Sequence, residues 1–202
     1  MRRRAVLTGA AALAMGRAAW AQTPGGTVRV NLQTGEGLIG LELYADKAPI
    51  TTANFLRYVD DRLYDRSKIY RALRSPGAPD MGLIQGGARF DPAHPHKPIA
   101  HESTLKTGLA HKDGTLSLAR GALGTATSDF FICVGDASYL DANPAAPGDN
   151  QGFAAFGQCV EGMDIVRRIL AMPTSPTKGP PGMVGQMLDP PVPILTARRV
   201  SA

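Results

Sequence analysis

The chain has 202 residues, 44% of them hydrophobic, and only 2 cysteines, enough for one globular core but not for two large domains or a disulfide-dense scaffold. Its formal net charge is +5, yet Arg2, Arg3, Arg4 and Arg17 lie in the first 21 residues with no acid among them; without that stretch the net charge is +1. Phosphate binding needs concentrated Lys and Arg, so a nucleic-acid partner is not expected.

The N-terminus opens Met1-Arg2-Arg3-Arg4, runs through small apolar residues from Ala5 to Met15 and reaches Ala19-Trp20-Ala21. This order of charged, apolar and A-x-A segments predicts a signal peptide over residues 1–21, cleaved after Ala21, with export to the periplasm or beyond. Arg3-Arg4, the weakly hydrophobic Gly/Ala-rich run and Arg17 resemble a twin-arginine signal, with a Sec signal as the competing assignment. The apolar run is far short of the roughly 20 residues that span a bilayer, so no permanent membrane anchor is expected.

Residues 22–26 form a short linker, and the domain is placed at 27–202. Thr27–Leu32 alternates with the period of a half-buried strand, Gly35 and Gly37 supply a turn, and Leu38–Leu43 returns as a second strand. Pro49 sits well in the first turn of a helix, whose apolar side is drawn from Ala53, Leu56 and Val59 or from Phe55 and Tyr58. Further strands are expected at Lys68–Leu73, Leu83–Gly86, Ile99–Glu102, Thr115–Ala119, Phe130–Val134 and Ala154–Val160. Met163, Val166, Ile169 and Leu170 space a second helix, and a Pro-rich stretch from Pro173 to Pro193 leads into a last strand, Ile194–Ala197. Many short strands with Gly and Pro turns and two helices indicate an all-β barrel or sandwich.

Cys133 and Cys159 lie in two of these strands and read as buried free thiols in preference to a disulfide. His94, His96, His101 and His111 have no paired second motif and read as surface residues, with no metal site.

Three segments in fixed order carry the function. They are Tyr70-Arg71 with Leu83-Ile84-Gln85-Gly86-Gly87; Leu118-Ala119-Arg120 with Ala126-Thr127-Ser128-Asp129-Phe130-Phe131-Ile132; and Phe156-Gly157 with Val160-Glu161-Gly162-Met163-Asp164-Ile165-Val166. Together they resemble the cyclophilin family of peptidyl-prolyl cis/trans isomerases in its bacterial exported branch, from about Thr27 to the end. The resemblance implies an all-β fold, a closed eight-stranded antiparallel barrel capped by two α-helices, with a peptide groove on the outer face. It also implies an enzyme without cofactor or metal, acting as a monomer on unfolded or extended proline-containing polypeptides during folding of exported proteins. A proline-peptide-binding module with weak or no turnover is the alternative.

The chemistry explains why no nucleophile is needed. Rotation about X-Pro crosses a barrier of roughly 18–20 kcal/mol because the planar amide loses its resonance. At the midpoint the proline nitrogen regains a lone pair, and a donor that bonds better to that nitrogen or to the adjacent carbonyl lowers the barrier. The resemblance makes Arg71 that donor, with a permanent charge and a rigid fork. It gives Gln85 to the substrate backbone, Phe131 to the floor of a proline pocket, Leu83, Leu140 and Phe153 to its walls, and Ala119 and Arg120 to main-chain docking. Tyr139 and Phe153 stand where animal members often carry Trp and His, which implies weak cyclosporin binding. Gly82 replaces the usual aromatic residue before the pocket hydrophobe, opening one wall. Asp129 replaces a common Gln and places an acid near Arg71, able to orient the guanidinium or to neutralise it.

Overall fold

The computed structural model describes residues 26–88 and 96–200. The expected signal, all of the linker but Gly26, and His94 lie outside the described residues. The first hairpin pairs β1 (Thr27–Thr34) with β2 (Gly37–Tyr44) in unbroken register from Thr27 opposite Tyr44 to Thr34 opposite Gly37. After helix α1 (Pro49–Asp60) come β3 (Lys68–Ser75) and β4 (Ala78–Gly87), the short helix α2 (Thr104–Thr107), β5 (Thr115–Leu118) and β6 (Phe130–Val134). A 3₁₀ turn over Ser138–Leu140 precedes β7 (Ala154–Glu161), α3 (Met163–Ala171), the two-residue β8 (Thr174–Ser175) and β9 (Met187–Arg199).

All pairings are antiparallel, and the order β1-β2-β7-β5-β6-β4-β3-β9 closes because β9 also pairs with β1. Eight strands thus form a closed barrel, the first of the two layouts the strand pattern allowed, and β8 hangs on β9 outside the ring. Closure removes the free sheet edges that would otherwise template association. The barrel interior is a continuous apolar cluster around Phe55, Tyr64, Phe130 and Phe156, in which Phe55 meets Phe130 edge-on at 5.5 Å. Among the described residues no helix is long and apolar enough to cross a membrane.

The two expected helices cap the barrel, with Phe55, Leu56, Tyr58 and Val59 of α1 and Val166, Ile169 and Leu170 of α3 buried. Both candidate apolar sets of α1 contribute, except Ala53, which is exposed. Three other details differ from expectation. Residues 99–102 are not a strand: Glu102 turns its carboxylate onto the N–H groups of Ile50 at 3.1 Å and Thr51 at 2.7 Å. Helix α1 has Ala48 at its N-cap position and no side-chain cap of its own, so an acid 51 residues away supplies both the acceptor and the favourable charge.

The last strand begins seven residues before Ile194, and its prolines do not block it. Ile69 pairs with Val192 and Arg71 with Met187, so Leu188–Pro191 bulge opposite Tyr70, where no regular ladder donor is required. In the β3–β4 hairpin, Leu73 pairs with Leu83, Arg74 with Gly82, and then Ser75 with Ala78, so the extra residues Pro79–Met81 are taken up in a bulge near the turn. That sets Arg71 directly opposite Gln85.

Candidate functional site

The groove lies on the outer face of β3, β4 and β6. Side chains alternate along a strand: Phe130, Ile132 and Val134 of β6 enter the barrel core, whereas Phe131 and Cys133 join Leu83 and Ala137 in a second apolar cluster outside it. Leu73, Ala119, Leu140 and Phe153 pack against that cluster. Above it opens a groove of about 620 Å³ whose lining includes Arg71, Leu73, Leu83, Phe131, Leu140 and Phe153. Phe153 stands edge-on to Phe131 at 5.4 Å, a floor and wall suited to a pyrrolidine ring.

Gly82 does not leave a hole. Its φ is +144°, and a Cβ there would lie 1.9 Å from the Leu73 carbonyl oxygen. A side chain of any kind is excluded, and Leu73, on the neighbouring strand, takes its place against the cluster.

Arg71 is held by two side-chain amides. Its Nη1 donates to Gln85 Oε1 at 2.7 Å and its Nε to Gln186 Oε1 at 2.8 Å. Among the described residues Nη2 makes no such bond, so part of the fork faces the groove uncommitted. Burial pulls the guanidinium below the usual Arg value, an effect partly offset by Tyr70 and Tyr139; it remains charged at neutral pH.

Among the described residues Asp129 lines the same groove but forms no ion pair with Arg71. Gln85 Nε2 donates to the Tyr70 hydroxyl at 2.8 Å, and Tyr70 donates to Asp129 Oδ2 at 2.7 Å. The carboxylate fixes which way the Tyr70 proton points, Tyr70 fixes the Gln85 amide, and Gln85 is left with its oxygen toward Arg71. The acid thus orients Arg71 through two intermediates instead of neutralising it in contact. Gln85, 3% exposed, has both amide atoms engaged, its oxygen by Arg71 and its nitrogen by Tyr70.

Arg120 lines the groove, but its guanidinium is bidentate to Asp149 and also bonds the Gly152 carbonyl. The guanidinium carbon lies 5.3 Å over the Phe153 ring. The same pair holds Asp149 down at about pH 2, with the Arg120 hydrogen bond the largest cause. The side chain therefore fastens the loop over residues 142–152 and the Phe153 wall. The Ala119 N–H is taken by the Asp129 carbonyl at 2.7 Å. Tyr139 is 65% exposed and lies close enough to Arg71 to act on its charge.

Two residues that the sequence did not single out belong to the site. Gln186 sits in a Pro/Gly-rich stretch with no motif, and only tertiary proximity reveals it. His111, read as a surface residue, is fully buried. It stacks on Phe131 with centroids 5.9 Å apart and planes at 15°. Its Nδ1 is 2.6 Å from Asp141 Oδ1 and its Nε2 2.9 Å from Ser117 Oγ. The carboxylate can only accept, so Nδ1 carries the proton and Nε2 accepts from the Ser117 hydroxyl. Burial lowers the pKa of His111, against an opposing pull from Asp141. The dyad supports the pocket from behind, with Asp141 next in sequence to Leu140. By contrast, the His96 imidazole meets Asp61 at 2.9 Å and His101 the Gln151 carbonyl at 3.0 Å. Among the described residues no cluster of His, Cys, Asp and Glu could hold a metal ion. Cys133 and Cys159 are buried and free.

Comparison with known proteins decides the family. The model of the cyclophilin type peptidyl-prolyl cis-trans isomerase family matches residues 29–196. The chain belongs to that family. Over 151 residues it is 38% identical to a peptidyl-prolyl cis-trans isomerase of Acinetobacter baylyi, covering 72% of this chain and 73% of the relative. Over 150 residues it is 33% identical to peptidyl-prolyl cis-trans isomerase B of Escherichia coli, covering 72% and 85%. A crystal structure of a cyclophilin type isomerase from Cryptosporidium parvum superposes with a TM-score of 0.67 at 19% identity, covering 87% of this chain and 99% of that one. The same protein, crystallised in the presence of the dipeptide Ala-Pro, gives a TM-score of 0.66 at 18% identity, covering 86% and 99%.

Proposed function

We propose that this cyclophilin-type isomerase acts on extended X-Pro segments of exported polypeptides, with Arg71 as the donor to the rotating imide. The observation that carries the reading is a guanidinium fixed at Nε and Nη1 by Gln186 and Gln85, beside an apolar recess floored by Phe131. A preorganised charge acts without reorganising during the rotation, so it favours the pyramidal nitrogen, or the adjacent carbonyl, over the planar ground state. Phe131, Leu83, Leu73, Leu140 and Phe153 receive the proline ring. Main-chain docking uses the Ala119 carbonyl and the Arg120 N–H. Such pairing gives affinity with loose preference for the flanking residues, and the ring pocket supplies the selectivity.

The working protein is the processed chain beginning at Gln22, an unanchored monomer in the periplasm. The uncatalysed step takes about 10–100 s, slow enough to limit folding. The test is a protease-coupled isomerisation assay on the processed protein. Arg71→Ala is expected to lower kcat/KM by roughly 100- to 1000-fold, the range for losing one preorganised donor, with an unchanged melting temperature. Equal rates for the two proteins sink the assignment. N-terminal sequencing of protein recovered from the periplasmic fraction checks the processing, which is expected after Ala21.

A further inference from the structure

The stretch between β8 and β9 has a defined course and reaches the donor. Within it, Met183 N–H bonds the Pro180 carbonyl at 2.9 Å and Gln186 N–H the Met183 carbonyl at 3.1 Å. Gln186 Nε2 bonds the Gly182 carbonyl at 3.2 Å, and Lys178 Nζ pairs with Asp189 at 2.9 Å. Gly179, at φ +131°, permits the tight fold: a Cβ there would lie 2.6 Å from the Met183 carbonyl oxygen. The loop is tied to the barrel beside Arg71, where Ala72 N–H bonds the Gln186 carbonyl at 2.9 Å. Its two inward contacts are Gln186 Oε1 on Arg71 Nε and the Met183 side chain, which forms part of the groove lining.

Strand order gives the direction. Ala119 follows β5; then come Phe131 on β6, Leu83 and Gln85 on β4, Arg71 and Leu73 on β3, and last the loop entering β9. Met183 lines the same groove as Ala119, Phe131 and Arg71, on the far side of β3 from Ala119, so a peptide that docks at Ala119 and seats its proline over Phe131 can reach it beyond Arg71. The thioether there is apolar, unbranched and adaptable, and the neighbouring Val184 is 51% exposed.

We propose that the loop over residues 176–186 is a specificity element, in which Gln186 positions Arg71 and Met183 receives an apolar substrate residue flanking the proline on the side away from Ala119. This rests on the reading of Arg71 as the donor. With Nε held, the free face of the guanidinium cannot rotate out of the groove, and a charged or small flanking residue forfeits the Met183 contact.

Two measurements test it, and the first needs no turnover. In the wild-type protein the Arg71 Nε–H resonance should be resolved and slow to exchange with water. It should be lost in Gln186→Ala and retained in Gln186→Glu, which keeps an acceptor at the same place. In the isomerisation assay Gln186→Ala should lower kcat by about tenfold or more with KM unchanged, the loss of one hydrogen bond to a charged group, whereas Gln186→Glu, which sets a carboxylate against the donor, should keep Arg71 oriented without restoring the full rate. For Met183, peptides are varied at each side of the proline in turn. Wild type should prefer Leu over Glu at one of the two positions by roughly tenfold, the scale of a few methylenes in an apolar pocket. Met183→Ala should reduce that preference to within about twofold and leave the other position unaltered. An Nε–H signal unchanged in Gln186→Ala overturns the positioning role. Equal loss on all peptides in Met183→Ala overturns the specificity role. If the wild type proves inactive, the resonance still reports on Gln186, and Leu-against-Glu peptide affinities replace the rates for Met183.

Discussion

Strand β6 has two faces of almost equal burial and opposite purpose. Phe130 is 1% exposed and Phe131 3%, yet Phe130 lies among Phe55, Tyr64 and the rest of the barrel core, while Phe131 floors an open groove. The inner face is closed on every side. The outer face is covered by Phe153, Leu140 and the His111 ring, and it keeps one side for a ligand. Burial alone therefore does not distinguish structural from functional apolar residues; what matters is whether the space above the ring belongs to the protein.

Paired truncations break or sharpen this contrast most directly. Phe130→Ala should destabilise the fold by about 3–5 kcal/mol, the range for emptying an aromatic site in a packed core, with a lower denaturant midpoint. Phe131→Ala opens onto a groove that water can enter, so it should destabilise less and instead raise KM for proline peptides. If the two variants lose the same stability and Phe131→Ala binds peptide normally, the outer cluster is merely core.

The next effect belongs to His111. Its folded pKa is lowered, so the unfolded chain binds the proton more readily. Stability is then fully present above the unfolded His value of about 6.5 and is lost as pH falls below it. Urea midpoints of the wild type should decline from pH 7 to pH 5, and His111→Asn should flatten that decline. Because the ring backs Phe131, peptide affinity should weaken over the same interval. A wild-type profile no steeper than that of the variant argues against the buried neutral imidazole.

A smaller change is expected from Tyr70→Phe, which cuts the link between Asp129 and Gln85. The Gln85 amide loses its fixed sense, and kcat should fall about fivefold, the worth of roughly one hydrogen bond, with little change in melting temperature. The smallest effect concerns the thiols. Burial raises Cys133 to about 12 and Cys159 to about 11, so neither offers a reactive thiolate at neutral pH. Alkylation of the native protein at pH 8 should be negligible until denaturant is added, and rapid labelling of Cys133 would mean that the outer cluster opens.

Much of the architecture was legible. Alternation marked β1, the glycine turn marked β2 as its returning partner, a short apolar run marked β6 and periodicity marked α3, because local pattern reflects which side faces apolar surroundings. Residues 99–102 misled because Ile99 and Glu102 serve separate partners; the acid caps α1, a contact between elements far apart in the chain. The start of β9 was hidden because prolines argue against a strand unless a bulge excuses them, and a bulge is a property of the pairing. His111 was missed because its partners, Asp141 and Ser117, form no recognisable spacing with it.

By itself the sequence determined an all-β chain, barrel or sandwich, with Arg71, Gln85 and Phe131 in the order of the cyclophilin pattern, since these signals are local; closure into a barrel rests on the pairing of β9 with β1. The tertiary structure decided that Asp129 acts through Tyr70 and Gln85, that Gly82 admits no side chain, and that Gln186 reaches Arg71. Each of these depends on distances across strands or loops, and a hydrogen bond or a steric exclusion exists only when separated segments are brought within a few ångströms.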